Sequence, residues 1–347
     1  MFTRSGAPSS RQRERGSSFL RPARRVDVRA ASLMIMLLVV AAACTGTGLS
    51  ASASATASAN PTPSVTAAST SEFPLTVVDD EGTSVELAHR PERIASLTPG
   101  TTEILFAIGA GDRVIATTDF DDYPAEAEPL PDVASFGSVD LERIVELEAD
   151  LVFAGGNGYT PPEAIRRLRE LEIPVIAIYA ATVDGVAADV ELIGTAVGSE
   201  TEADAIADRM RTEIAAISYA VADAPRPRVF YEIDASAGLF GPADDSFLAE
   251  MIELAGGEPI TTGSDLSFEM DLERLVTADP EVIVLGDAAF GTTAEQVAER
   301  PAWVQMTAVR SGAIRVADDR LITRPGPRLA LGLRSLVLAI HPDAQLP

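Results

Sequence analysis

The hydrophobic pattern divides the chain into a short apolar run near its start, a long aperiodic stretch, and a body from about residue 73 where apolar runs alternate with helical periods. In the body, residues 94–97, 114–116, 151–154, 175–179, 228–233 and 282–285 are short and mostly apolar. Such runs between turn residues fit strands buried on both faces, as in parallel sheets. Between them the spacing predicts helices over 102–108, after a turn at Pro99-Gly100, and over 163–172 and 246–254, the last closed by Gly256-Gly257. Residues 186–197 and 201–222 read as two helices broken at Gly198-Ser199. In the second, Ala205, Ile206, Met210, Ile214 and Ile217 recur at helical spacing, and no hinge composition interrupts it. It reads as a stiff connector that permits only modest rocking of what it joins.

The pattern also repeats. Asp140-Leu-Glu-Arg-Ile-Val-Glu-Leu-Glu-Ala-Asp-Leu-Val-Phe-Ala-Gly155 is matched 131 residues later by Asp271-Leu-Glu-Arg-Leu-Val-Thr-Ala-Asp-Pro-Glu-Val-Ile-Val-Leu-Gly286, with six of 16 positions identical. Each copy predicts a short helix capped by its Asp, burying Leu141, Ile144 and Val145 or Leu272, Leu275 and Val276, then a buried strand ending at Gly. Helix then buried strand is half of a parallel α/β unit. The expected fold is therefore α/β: two similar lobes with mainly parallel sheets, residues 73–197 and 225–347, joined by a long rigid helix within 198–224.

Residues 1–43 hold eight Arg against Glu14 and Asp27, and include the apolar run 33–40 followed by Ala41-Ala42-Ala43-Cys44. A basic segment, a short apolar core and small residues before a cut form a secretory signal, and the run is too short for a spanning helix. The Ala-Ala-Ala-Cys junction resembles a bacterial lipobox, departing from it at Ala41, where Leu is usual. Cys44 is accordingly the expected lipidation site. Residues 45–71 are Ala, Ser, Thr and Gly with Pro61 and Pro63, too polar to form a core, so 44–72 reads as a lipidated Cys and flexible tether.

Charge and composition exclude several classes. The net charge is −25 and all 27 basic residues are Arg, so with the basic start removed the rest is more acidic still. Such a chain does not wrap nucleic acid or bind anionic lipid by charge; a lipid anchor is its only expected membrane contact. One Cys and two His, His89 and His341, give no disulfide framework and no set of metal ligands. Neither His accompanies a nucleophile elbow, so no catalytic residue is assigned. Gly109-Ala-Gly111 follows a helix instead of a strand, and Gly155-Gly-Asn-Gly158 lacks a P-loop lysine; both read as turns.

Residues 93–109 (Arg-Ile-Ala-Ser-Leu-Thr-Pro-Gly-Thr-Thr-Glu-Ile-Leu-Phe-Ala-Ile-Gly), Asp121-Asp-Tyr-Pro124, Leu141-Glu-Arg-Ile144, Leu254-Ala-Gly-Gly257, Trp303 to Val309 and Thr323-Arg-Pro-Gly-Pro-Arg328 occur in series. Together they resemble the cobalamin and ferric-siderophore class of periplasmic binding proteins, over essentially all of residues 73–347. The resemblance implies a ligand cleft between lobes bridged by a rigid helix, and delivery to an ABC permease dimer with its ATPase subunits. With the lipid anchor read from Cys44, the expectation is an extracytoplasmic, lipid-anchored monomer with no cofactor of its own. The cargo would be a chelate containing Co or Fe: a cobalamin-type corrinoid, a ferric siderophore or haem. Glu142 and Glu273, at matching places in the repeat, would dock on permease arginines; each also suits a helix N-terminus electrostatically.

In α/β lobes ligands meet the loops at the carboxyl ends of strands. The aromatics there are Phe120, Tyr123, Phe136, Tyr159, Tyr231, Phe240, Phe268 and Phe290. The first six are the expected ligand contacts; Phe268 and Phe290 also fit a core. Arg324 is a candidate donor to the ligand, whereas Arg328 suits pairing with surface acids. Asp121-Asp122 and Asp244-Asp245 read as solvated turns, and Trp303 as core. Two other classes compete: a membrane-anchored α/β enzyme, which turnover would reveal, and a receptor-signalling binding protein, which failure to stimulate an importer's ATPase would reveal.

Overall fold

The structure, a computed structural model, describes residues 72–347 apart from Phe136 and Leu266. The export segment, Cys44, the tether and the expected contact Phe136 lie outside the described residues. The described chain opens with an antiparallel hairpin, β1 (Leu75–Val78) and β2 (Ser84–Leu87). The first lobe follows: β3 (Ile94–Ser96), α1 (Pro99–Ala107), β4 (Val114–Thr118), β5 (Asp132–Ser135), β6 (Ser138–Val139), α2 (Leu141–Glu146), β7 (Leu151–Gly155), α3 (Pro162–Glu170) and β8 (Val175–Ile178). Helices α4 (Val183–Val197) and α5 (Glu200–Ala220) lead to the second lobe. It contains β9 (Arg228–Glu232), α6 (Phe247–Leu254), β10 (Glu258–Pro259), α7 (Leu272–Ala278), β11 (Val282–Leu285), α8 (Ala294–Ala298), α9 (Thr307–Ser311), β12 (Ile314–Val316), α10 (Asp319–Ile322) and α11 (Leu329–Ile340).

The first lobe's sheet has the order β6-β5-β4-β3-β7-β8, parallel except for β5 with β6; the second lobe's, β10-β9-β11-β12, is parallel throughout. In both, the chain extends to one side of the opening strand and then returns to its other side. The order therefore reverses between β3 and β7 and between β9 and β11, and each reversal opens a crevice at the strands' carboxyl ends.

Strand side chains alternate between two apolar layers, as the period of two requires. Ile94, Leu151, Phe153, Val229, Tyr231, Val282 and Val284 enter one continuous core with Val190 and Ile193 of α4, Met210 and Ile214 of α5, and Leu333 and Leu336 of α11. The alternate residues Ala95, Val152 and Ala154 face α2 and α3 through Ile144, Ile165 and Leu168. In the second lobe Phe230, Ile283 and Leu285 face α7 and α8 through Leu275 and Val297. Each lobe thus has its own outer layer, but both share the inner one. Burying one such Leu, Ile or Val contributes about 1.5–3 kcal/mol, so the shared layer outweighs any surface contact in joining the lobes.

The structure corrects several local expectations. Helix α1 begins at Pro99, capped by the Thr98 side chain, so Pro99-Gly100 forms its first turn instead of preceding it. Asp140 and Asp271 do cap α2 and α7, each accepting the backbone N–H three residues on at 2.9 Å. These helices, however, fully bury only Ile144 and Leu275, while Val145 and Leu272 are largely exposed. Helices of one to two turns touch the sheet along one residue, too short for a stripe. On α5, Ala203 and Ala207 are buried where Ala205 was expected. No helix among the described residues is long and apolar enough to cross a membrane.

Candidate functional site

The loop after β4 is wound tightly by its own side chains. The Asp121 carboxylate accepts from the Thr118 N–H at 2.9 Å and the Thr118 hydroxyl at 2.6 Å, and the Phe120 N–H donates to that hydroxyl at 3.2 Å. Asp121 is thereby buried, not a solvated turn residue, and burial pushes its carboxyl up against the hydrogen bonds from Thr102 and Thr118. Phe120 in this turn is 45% exposed.

The loop after β7, Gly155-Gly156-Asn157-Gly158-Tyr159, reverses through left-handed Asn157 (φ 51°) and Gly158 (φ 80°). The Gly155 N–H donates to the Thr160 hydroxyl at 2.9 Å. A Cβ on Gly155 would lie 2.6 Å from the Tyr159 ring, so glycine there permits the ring's position. Phe120, Tyr159, Leu97, Ser135, Ser138 and Thr160 line one small pocket at the sheet's carboxyl edge. Partial burial and the Asp121 carboxylate push the Tyr159 hydroxyl up, while Arg324 from the other lobe works against them.

The second lobe reaches this edge through its Arg-Pro-Gly-Pro-Arg loop. Arg324 donates to Asp122 and, at 3.1 Å, to the Phe120 carbonyl; Arg320 donates to Asp122 at 3.1 Å. Burial alone would raise the Asp122 carboxyl, but the two guanidiniums hold it below its ordinary range. The expected free donor Arg324 is therefore engaged across the lobes. Arg328, expected to meet surface acids, makes a two-pronged bond to the buried Glu103 of α1 at 2.7 and 2.6 Å. Its guanidinium also lies 4.0 Å from the Tyr123 ring centroid, so Tyr123 is fixed on one face and half-exposed. Beside this pair, a Cβ on Gly100 would come 2.3 Å from the Pro325 carbonyl oxygen; the lobes meet there backbone to backbone.

Tyr231, expected to touch ligand, is fully buried and donates to the Asp319 carboxylate at 2.7 Å. It alternates with Phe230 along β9, which turns its ring into the shared core. Phe240 is half-buried in a short bridged turn after β9, between Asp234 and Glu269. Trp303 is core, edge-on to Phe230 with Arg300 over its ring. Phe290, for which a core place was open, is 90% exposed beyond β11, and Phe268 is 44% exposed. Glu142 and Glu273 are both exposed, each the second residue of its short helix. The cross-lobe acids Glu103 and Asp122 had no local sequence signal, because their partners lie some 200 residues away.

The sequence profile of the periplasmic binding protein family matches residues 94–321. The ABC transporter substrate-binding lipoprotein YvrC of Bacillus subtilis is 30% identical over 279 residues, covering 79% of this chain and 88% of that protein. A cobalamin-binding protein of Halobacterium salinarum is 30% identical over 281 residues, 78% of this chain and 74% of the relative. Among solved structures, the periplasmic vitamin B12 binding protein BtuF of Vibrio cholerae superposes with a TM-score of 0.64 at 25% identity, covering 72% of this chain and 96% of that one.

Proposed function

Because the chain belongs to the periplasmic binding protein family, we propose that it is the ligand-binding lipoprotein of an ABC importer, capturing a metal-chelate cargo outside the cell and delivering it to a permease dimer. The observation that carries the reading is the meeting of the two lobes at Asp122, in the loop after β4, and Arg324, in the loop after α10, with Phe120, Tyr123 and Tyr159 on the first lobe's side. Aromatic faces give a bulky chelate contact area with few rotamers to freeze, and arginines and carboxylates alongside fix its polar rim. The named relatives bind cobalamin or serve ABC transporters, which supports a corrinoid cargo first; a ferric siderophore or haem suits the same aromatic edge. The cargo's Co or Fe would arrive already chelated, so the reading needs no resident metal site. Nothing in those relatives supports the enzyme or receptor-signalling alternatives.

Lipidation of Cys44 would hold the receptor, as a monomer, at the outer face of a membrane, where the tether raises its effective concentration at the permease. Glu142 and Glu273, one per lobe, would meet the two permease subunits. The test is a thermal shift and visible spectrum of the soluble chain lacking residues 1–43, with cyanocobalamin, a ferric siderophore and hemin. A probe at 100 times its dissociation constant should stabilise the protein by about 2.7 kcal/mol. No shift with any of the three refutes the chelate assignment.

A further inference from the structure

Helix α10, Asp319–Ile322, is four residues long, and its N-cap residue Asp318 makes no capping bond with its side chain. A helix of about one turn has no stability of its own, so its neighbours must hold it. Ile322 does so from the core, and the Asp319 carboxylate does so by two hydrogen bonds. One carboxylate oxygen accepts from the Tyr231 hydroxyl at 2.7 Å; the other accepts from the Thr323 hydroxyl at 3.0 Å, at the far end of the helix. A hydroxyl donating to a carboxylate makes a short, strong bond. Room for the phenol comes from Gly286, where a Cβ would stand 2.5 Å from the Tyr231 ring and 2.9 Å from its hydroxyl oxygen. Gly155, the matching glycine of the first lobe, also makes room for a tyrosine, but for the exposed ring of Tyr159. The two strand ends of the repeat therefore differ: one glycine serves a ring at the surface, the other a ring in the core.

The chain neighbours of Asp319 and Thr323 are Arg320 and Arg324, the two guanidiniums that converge on Asp122 of the first lobe. Two long side chains meet on one carboxylate only if the backbone beneath them is fixed, because each loses much rotamer freedom in doing so. We propose that Tyr231 is a positioning residue of the ligand site: through Asp319 it fixes α10, and so sets Arg320 and Arg324 at the cleft. The inference rests on the ligand-binding reading above and deepens it. A bridge that is already ordered spares the ligand the cost of ordering α10 when it binds. This gives the Tyr231 hydroxyl a task that core packing does not require, since a phenylalanine ring would fill nearly the same volume.

The test compares hydrogen exchange and ligand binding in the soluble chain lacking residues 1–43. Without ligand, Tyr231→Phe should speed amide exchange of residues 118–123, in the opposite lobe, roughly tenfold under native conditions. Thr323→Val, which removes the other donor to Asp319 from a half-buried position, should act in the same direction. Val229→Ala, on the same strand and in the same core, controls for lost packing and should leave residues 118–123 protected. Adding Tyr231→Phe to Asp122→Asn should change nothing further there, because the bridge it acts through is already gone. Of cyanocobalamin, hemin and ferrichrome, each probe that binds the parent should bind Tyr231→Phe roughly fivefold more weakly. Equal exchange in Tyr231→Phe and the parent, or equal acceleration in Val229→Ala, refutes the positioning role. So does accelerated exchange with unaltered affinity, for Tyr231 would then order the bridge without serving the ligand. If no probe binds the parent, the ligand-binding reading fails by its own test, and the claim on the ligand falls with it; the exchange comparison still decides whether Tyr231 orders the bridge.

Discussion

Asp122 and Arg324 are bonded across the two lobes although 202 residues separate them in the chain. The same carboxylate takes Arg320, so two of the few cations at the cleft are already neutralised by the protein itself. Asp122→Asn should cost about 1 kcal/mol or less, because the carboxylate is partly exposed. It should also strengthen binding of hemin, which carries two carboxylates, relative to cyanocobalamin, since both guanidiniums lose their shared carboxylate partner while keeping weaker contacts to the Phe120 carbonyl and Asp318. Parallel titrations of the two probes check this, and an unchanged ratio refutes it.

The Glu103–Arg328 pair belongs to a different energetic class, with Glu103 almost wholly buried. Glu103→Ala should cost about 3 kcal/mol by stranding a partly buried guanidinium, and Arg328→Ala a similar amount. The double variant should cost clearly less than the two combined. Urea unfolding of all four proteins measures the coupling; simple additivity would mean the pair is incidental.

Stability should also decline as pH rises from the ordinary carboxylate range through neutrality to about 8. Asp189 on α4 is pushed up to about 8 by burial, then by the Asp80 carboxylate and a hydrogen bond with it. Burial raises Asp80 as well, opposed by the Tyr179 N–H and by Asp189, with Asp79 adding to the rise. The folded value lies above the ordinary 3.8, so folding takes up a proton. That stabilisation is complete below the ordinary value and is lost as pH rises towards 8. Asp189→Asn should flatten the decline and exceed the parent by at least about 1 kcal/mol at pH 9. Chemical denaturation at several pH values decides; an equal decline in both proteins rules the carboxyl pair out as its cause.

Glu142 and Glu273 enter no ion pair among the described residues, which leaves both available at the surface. Replacing both with Arg should leave probe affinity unchanged and reduce stimulation of the importer's ATPase at least tenfold, as expected when like charges meet at an interface. ATPase assays with reconstituted permease test it, and full stimulation by the double variant would falsify the docking role.

Much of the framework was legible because strands buried on both faces leave continuous apolar runs; β7, β8 and β11 fall where such runs stand. The caps Asp140 and Asp271 were legible because capping is local. Burial on short helices was not, since Val145 and Leu272 depend on how far a neighbouring element reaches. Tyr231 could have been placed, for it shares a strand face with Val229, which enters the core. The bonds of Arg324 and Arg328 could not: which carboxylate meets which guanidinium is fixed only once the lobes have closed on each other.

The inner apolar layer that the lobes share means that neither could stand alone. A half-length chain carrying one sheet would turn that layer to water, a patch far larger than monomers tolerate. It would be soluble only by pairing with a second copy through the same face, as a two-fold homodimer. With one inner layer common to both lobes, the chain should melt as one cooperative unit with no half-folded state.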